Sequence, residues 1–185
     1  ANVWVKREDL QPVRSYKLRG AYNLIAQLEP SERDRGVVCA SAGNHAQGFA
    51  FACASFGITG RVYVPRTTPR QKRDRIAALG EGRVEIIVAG EAYDDAAAAA
   101  QADAEQTGAV LVPAFDHPDT IAGQGTMAVE IVEQLGHAVA VGAQEDAVVG
   151  LCHRDAGEIA VADADPVAVA HLTQDLQQLR GKDRR

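Results

Sequence analysis

Cysteines, aromatic residues and long apolar runs are scarce in this chain, and each scarcity excludes a class of protein. The three cysteines are odd in number and widely spaced, so neither a disulfide framework nor a zinc site is expected. Aromatic residues make up 5% of the sequence and the formal net charge is −6, which argues against a nucleic-acid partner. No apolar run reaches membrane-spanning length and no secretory pattern is seen, so we expect a protein of the reducing cytoplasm with no membrane partner.

Short apolar runs alternate with helix signals along most of the chain. The runs predict strands at 2–6, 37–40, 61–64, 84–88 and 110–112, and helices at 17–28, 44–56, 70–79, 91–106 and from 119 or 120 to 135. Pro30 is expected to close the first helix, and Thr68 to cap the helix that Pro69 begins. Alternation of this kind predicts an α/β domain with a parallel sheet and ligands at the carboxyl ends of its strands.

Two segments carry residue types suited to one chemistry. Lys17 stands at the start of the first predicted helix, and residues 41–48 form a strand-to-helix turn rich in small residues and amides. A lysine amine can form a Schiff base with an aldehyde, and such a turn can hold an anionic group against backbone N–H donors. Pyridoxal phosphate uses such a pair.

The same segments resemble the biosynthetic threonine dehydratases, also called threonine ammonia-lyases. The resemblance is closest over residues 1–29 and 37–57, and it continues in order through Val62–Pro65, Pro69–Lys72 and Ile121–Thr126. It covers roughly residues 2–136. It implies the parallel-sheet α/β layers of the tryptophan-synthase-β-like fold of pyridoxal-phosphate enzymes (fold type II), here truncated.

The resemblance also implies roles for individual residues. Lys17 would form the Schiff base with pyridoxal phosphate and then remove the α-proton of the substrate. Asn44 would hydrogen-bond the phenolic oxygen of the cofactor, and Tyr16 would be either a cofactor contact or a core aromatic. The substrate carboxylate would be held by a turn comprising Ser41, Ala42, Gly43, Asn44 and His45. His45 is expected to be a structural hydrogen bonder rather than an acid or base.

The implied reaction is dehydration and deamination of a small amino acid. L-Threonine would yield 2-oxobutanoate and ammonia in isoleucine biosynthesis, with L-serine as a second substrate, and the full-length family suggests a homo-oligomer. A serine dehydratase or serine racemase of the same fold remains an alternative. A non-catalytic fragment is another, because the family wraps the cofactor phosphate with a run of glycines after the position of Gly136, and no such run follows here.

The chain is accordingly divided into three parts. Residues 1–35 are expected to begin a large domain and to carry the Schiff-base lysine, 36–136 to form a small α/β domain with its following helix, and 137–185 to be a tail that does not match the family.

Three further groups of reactive side chains are given structural interpretations. Cys39 lies mid-strand and is expected to be a buried, inert thiol. Asp116, His117 and Asp119 surround a proline and are expected to form a turn and cap rather than a metal site. A run of cations is expected to be a solvated helix face: Arg66, Arg70, Lys72, Arg73 and Arg75.

Overall fold

The computed structural model describes residues 5–135, so the predicted tail at 137–185 lies outside the described residues. Val5 and Lys6 belong to the strand predicted at 2–6, and that prediction is wrong for both of them. Lys6 instead forms an ion pair with Glu130, far along the chain. The apolar pattern of the segment gave no sign of this ion pair.

The elements follow the expected alternation. After a single 3-10 turn at Glu8–Leu10, the helices are α1 (Lys17–Ala26), α2 (Pro30–Arg35), α3 (Asn44–Phe56), α4 (Arg70–Gly80), α5 (Tyr93–Thr107) and α6 (Pro118–Leu135). The strands are β1 (Val37–Ala40), β2 (Gly60–Val64), β3 (Val84–Val88) and β4 (Val110–Leu111). No helix within residues 5–135 has both the length and the apolar character needed to cross a bilayer.

The strands form one parallel sheet in the order β3-β2-β1-β4. Val37 of β1 is paired with Gly60 on one side and Val110 on the other, and the side chains of Val37, Val38 and Cys39 are fully buried. A central strand covered on both faces explains why this segment reads as a continuous apolar run. The predicted α/β class with a parallel sheet is confirmed.

Several errors at element boundaries lie at helix starts, and others are shifts of one or two residues: α1 ends at Ala26 rather than 28, and α5 covers Tyr93–Thr107 rather than 91–106. Pro30 was expected to close a helix, but it is the first residue of α2, where its missing N–H costs nothing and Glu29 and Glu32 complete a capping box. Thr68 was expected to cap α4, but Pro69 takes that place and Thr68 is buried. The cap predicted at Asp119 or Thr120 is also wrong, because α6 already begins at Pro118.

Helix α1 packs between α3 and α6, and glycines permit the close approach on both sides. A methyl group at Gly48 of α3 would lie 2.9 Å from the Cα of Leu18 and 3.1 Å from the carbonyl oxygen of Lys17. On the other side, a methyl group at Gly123 of α6 would lie 2.4 Å from the carbonyl oxygen of Arg19. The backbones of the three helices therefore nearly touch, and this contact positions Lys17.

Substituting Gly48 by alanine is expected to separate α3 from α1. The atoms in the way are backbone atoms that cannot rotate aside, so we expect a loss of about 1–3 kcal/mol in the free energy of unfolding. Gly125 is the matched control, since a methyl group there meets nothing within 4 Å and alanine favours a helix. Urea denaturation of both variants tests the packing, and an equal effect at the two positions would contradict it.

Candidate active site

The 41–45 turn follows β1 at the carboxyl edge of the sheet, where α/β proteins bind ligands. The Ser41 N–H donates to the carbonyl of Tyr63 at 3.2 Å, which ties the turn to the neighbouring strand β2. The Gly43 N–H donates to the Ser41 hydroxyl, also at 3.2 Å. These two bonds fix the turn that leads into α3 at Asn44.

The start of α3 is open to a ligand. A methyl group at Gly43 would meet no atom within 4 Å, and the Asn44 side chain is exposed. Within the described part of the chain, no side chain caps the first turn of this helix. Its leading N–H groups and the positive end of its dipole are therefore available to an anion such as a carboxylate.

Lys17 lies beside this turn. It is the first residue of α1, which contacts α3 at Gly48, one helical turn beyond Asn44. Its Nζ donates to the carbonyl oxygen of Ala114 at 3.1 Å and lies 5.4 Å from the centroid of the Tyr16 ring, which is buried. The fold therefore brings together Lys17 and the 41–45 turn, which the sequence predicted as a pair.

His45 is buried behind the turn as a neutral imidazole. Its Nε2–H donates to the carbonyl of Val112 at 2.8 Å, and Nδ1 has no hydrogen-bond partner among the described residues. Burial lowers the pKa of His45 to about 4, the bond to Val112 opposes this, and the Lys17 charge lowers it further. This geometry supports the predicted role of His45 as a structural hydrogen bonder.

The depressed pKa of His45 predicts acid sensitivity. Between the ordinary value of 6.5 and about 4, the unfolded chain binds a proton that the folded chain does not, so stability falls as the pH falls through this window. The full shift corresponds to about 3 kcal/mol. We expect His45→Gln to remove this component, measured as the difference in unfolding free energy between pH 7 and pH 5. An NMR titration placing the imidazole pKa near 6.5 would contradict the prediction.

Three consecutive carbonyls beside the lysine each receive a side-chain donor, and sequence reasoning missed them. We call Val112, Pro113 and Ala114 the carbonyl strap. Val112 accepts from His45, Pro113 from the Thr120 hydroxyl at 3.3 Å, and Ala114 from both Lys17 and Gln124 at 3.1 Å each. Gln124 belongs to the segment 121–126 that the resemblance singled out, which is the one sequence signal that pointed to it.

A second missed feature is the buried guanidinium of Arg19, which is 2% exposed. It forms two hydrogen bonds with the Glu8 carboxylate, two with Glu130 and one with the Thr126 hydroxyl, all between 2.7 and 3.0 Å. Burial opposes its charge, but the bonds to the two carboxylates outweigh burial and raise the pKa of Arg19. The cluster ties α1 to α6 and to the 3-10 turn.

The two buried thiols are placed where they cannot act as nucleophiles. Cys39 is fully buried, and burial raises its pKa well above the ordinary value. Burial also raises the pKa of Cys53 to about 12. Both thiols therefore stay protonated at neutral pH, as expected for Cys39 from the sequence.

The remaining candidates lie on the surface. Arg66 pairs with Glu91 and Arg70 with Asp74, in each case between exposed side chains, as in a solvated face. His117 accepts a hydrogen bond from the Asp119 N–H at 3.2 Å in a local turn. Across residues 5–135, no group of three metal-ligating side chains could hold an ion.

The described residues fit the reactive part of pyridoxal phosphate with its bound amino acid. An amine, an uncapped helix start and the open space beside Gly43 suit an aldehyde and a carboxylate. A run of glycines, which the resemblance implies for the cofactor phosphate, is not present in the sequence after Gly136.

Comparison with known proteins gives a consistent result. The family model described as pyridoxal-phosphate dependent enzyme matches residues 1–152. The biosynthetic L-threonine dehydratase IlvA of Mycobacterium tuberculosis is 64% identical over 135 residues, covering 73% of this chain and 32% of the relative. That of Bacillus subtilis is 49% identical over 134 residues, covering 72% and 32%. The chain therefore spans about a third of the length of these curated relatives.

Solved structures give the same picture. The processed form of threonine deaminase isoform 2 from Solanum lycopersicum superposes with a TM-score of 0.67 at 44% identity, covering 70% of this chain and 35% of that one. Maize serine racemase gives the same TM-score at 33% identity, covering 72% and 40%.

Proposed function

This chain belongs to the pyridoxal-phosphate-dependent enzymes, and we propose that it carries the lysine-bearing part of a threonine ammonia-lyase site. Its fold is that of the fold-type-II members of the family, as the sequence predicted. The proposed reaction converts L-threonine to 2-oxobutanoate and ammonia, with L-serine as a second substrate. One observation carries the proposal: Lys17 begins α1 where its backbone meets Gly48, one helical turn beyond the uncapped start of α3, and its charge lowers the pKa of His45 in the 41–45 turn.

The residues of the chain would divide the work between binding and proton transfer. The 41–45 turn would hold the substrate carboxylate through the N–H groups at the start of α3, and the Asn44 amide would donate to the phenolic oxygen of the cofactor. Holding the carboxylate fixes the orientation of the Cα–H bond, and so favours its cleavage over that of the other bonds at Cα. Lys17 would anchor the cofactor through its aldehyde and then take the proton from Cα. Pyridoxal phosphate, when bound, supplies the electron sink that stabilises negative charge at Cα.

His45 is assigned no proton transfer in this proposal. Because its pKa is about 4, His45 is neutral at neutral pH. Its one N–H, at Nε2, donates to the Val112 carbonyl and is therefore not available for proton transfer. It would act as a fixed dipole behind the carboxylate turn. Tyr16 is proposed to pack its ring beside the lysine at the 5.4 Å separation seen here.

The experiment that tests the proposal is reductive capture. The purified chain is incubated with pyridoxal phosphate, reduced with borohydride and digested, and the modified residue is identified by peptide mass. Selective labelling of Lys17 is the expected result. Labelling spread over exposed lysines such as Lys72 would reject the proposal.

The second candidate is a non-catalytic chain of the same fold, and the absence of a glycine run after Gly136 favours it. Charge-assisted N–H bonds to a phosphate contribute about 1.5–3 kcal/mol each, so losing several would weaken cofactor binding by orders of magnitude. An assay for 2-oxobutanoate from threonine separates the two candidates. A serine panel that measures pyruvate and D-serine separates a dehydratase from a racemase.

The proposal also includes a cytoplasmic location, a homo-oligomeric state and the division into residues 1–35, 36–136 and 137–185. Cell fractionation and light scattering test the first two. Limited proteolysis with cleavage near residues 35 and 136 would support the third.

A further inference from the structure

The carbonyl strap, Val112 to Ala114, is held by side chains from three different helices. His45 comes from α3, Thr120 and Gln124 from α6, and Lys17 from α1. The donors from α3 and α6 are all at least nine-tenths buried. A loop held at three successive oxygens has little freedom to turn, so each carbonyl points in a defined direction.

Ala114 differs from its two neighbours because its oxygen receives two donors. One is the Lys17 ammonium, at the end of a flexible four-carbon chain, and the other is the Gln124 amide, each at 3.1 Å. A carbonyl oxygen has two lone pairs and can accept both. The fixed member of the pair is Gln124, which is 6% exposed and packs against α1 so closely that a methyl group at Gly20 would lie 2.8 Å from its Nε2.

We propose that Gln124 is a positioning residue for Lys17: its amide holds the Ala114 carbonyl where that oxygen receives the lysine amine, and so fixes the position of the amine. That the amine later reacts with the aldehyde of pyridoxal phosphate rests on the proposed function, whereas the positioning of the amine by Gln124 does not. When Lys17 leaves Ala114 to react, Gln124 continues to satisfy the oxygen. The carbonyl strap therefore need not rearrange during the exchange.

The positioning can be measured without any cofactor. Trace acetylation of the native chain with acetic anhydride, followed by peptide mass analysis, gives the reactivity of Lys17 relative to Lys72, an exposed lysine that serves as the internal reference. In the wild type we expect Lys17 to be protected. In Gln124→Met, which keeps the side-chain length but removes the donor, the Ala114 carbonyl can turn away. The relative reactivity of Lys17 should then rise about threefold to tenfold, the range for loss of one ordinary hydrogen bond.

Thr120→Val is the matched control. It also removes one buried donor from the carbonyl strap, but the donor is lost from the carbonyl of Pro113 rather than from that of Ala114. Loss of the Thr120 hydroxyl should lower the melting temperature without changing the acetylation ratio. Should Gln124→Met fail to fold, Gln124→Asn serves instead, since the shorter amide cannot reach Ala114. The same rise in Lys17 reactivity is expected.

Two results would overturn the inference. The first is a wild-type Lys17 that is as reactive as Lys72. The second is an acetylation ratio that stays the same in the Gln124 variants, or that rises equally in Thr120→Val, which would make Gln124 a structural residue only. If reductive capture by pyridoxal phosphate fails while acetylation follows the expected pattern, the proposed function falls and the positioning role of Gln124 stands.

Discussion

Lys17→Arg is expected to abolish reductive capture of pyridoxal phosphate and, with it, any release of 2-oxobutanoate from threonine. A guanidinium keeps the positive charge and can still donate a hydrogen bond toward Ala114, but it stays protonated and does not react with an aldehyde at neutral pH. The substitution therefore removes the nucleophile while leaving the charge near His45. We expect loss of the labelled peptide, with little change in the melting temperature.

The control for this experiment is Lys72→Arg, which removes an exposed lysine of α4 on the solvated face. Its labelling pattern should match the wild type. Peptide mass after borohydride reduction measures both variants, and absorbance of the protein-bound cofactor gives an independent readout. Residual capture at a single other lysine in Lys17→Arg would show that the anchor had been assigned to the wrong residue.

Arg19→Met is expected to produce a large loss of stability. The guanidinium is 2% exposed and its carboxylate partners, Glu8 and Glu130, have side chains only 11% and 24% exposed. Removing the cation leaves two carboxylates close together and partly desolvated. Breaking a buried ion pair from one side costs about 3–5 kcal/mol, and because Glu130 is partly exposed we expect a loss of about 3 kcal/mol here.

The loss of stability should come from the Glu8 and Glu130 carboxylates, which are left without the cation, rather than from the lost packing contacts of the arginine. The Glu130 pKa shows how these charges depend on their partners: burial raises it, but the bonds to Arg19 and Lys6 more than compensate and lower it. We therefore expect the triple variant Arg19→Met, Glu8→Gln, Glu130→Gln to be more stable than Arg19→Met alone. Urea denaturation at pH 7 measures the difference.

Arg7→Met is the control for this network. Arg7 pairs with Asp9 on the surface, where both side chains are more than half exposed, and we expect no measurable change in stability. A triple variant no more stable than Arg19→Met would show that the arginine acts mainly through packing of its aliphatic stem.

Local signals in the sequence were sufficient for much of the fold. Helix α3 begins at Asn44 and ends at Phe56 as predicted, because Gly57 supplies the left-handed residue that terminates it, at φ 68°. Strand β3 also has the predicted bounds, Val84–Val88. The prediction failed where one residue is compatible with two roles. Pro30 can follow a helix or begin one, and here it begins α2 because Glu29 and Glu32 form a capping box.

The residue types of the candidate site could be predicted from the sequence, but the contacts that hold those residues in place could not. Lys17 and the 41–45 turn were recognised because their residue types suit one reaction and occur in a familiar order. The burial of Arg19 could not be foreseen, because its partner Glu130 lies 111 residues away and nothing local distinguishes a paired arginine from a solvated one. The bond from Gln124 to Ala114 is likewise made by an ordinary amide, and only the folded chain shows which carbonyl it reaches.

The packing of α1 against α6 has a consequence for the order in which the chain folds. Strands β1 and β2 and the intervening α3 are close in sequence, so their contacts close short loops. Lys17 and Arg19, in contrast, are secured by partners 97 to 111 residues away, and contacts across such distances form late because the chain must first lose the entropy of a long loop. Strands β1 and β2 should therefore gain protection from hydrogen exchange before the lysine acquires its surroundings, and the amine of Lys17 should be among the last groups to reach its place.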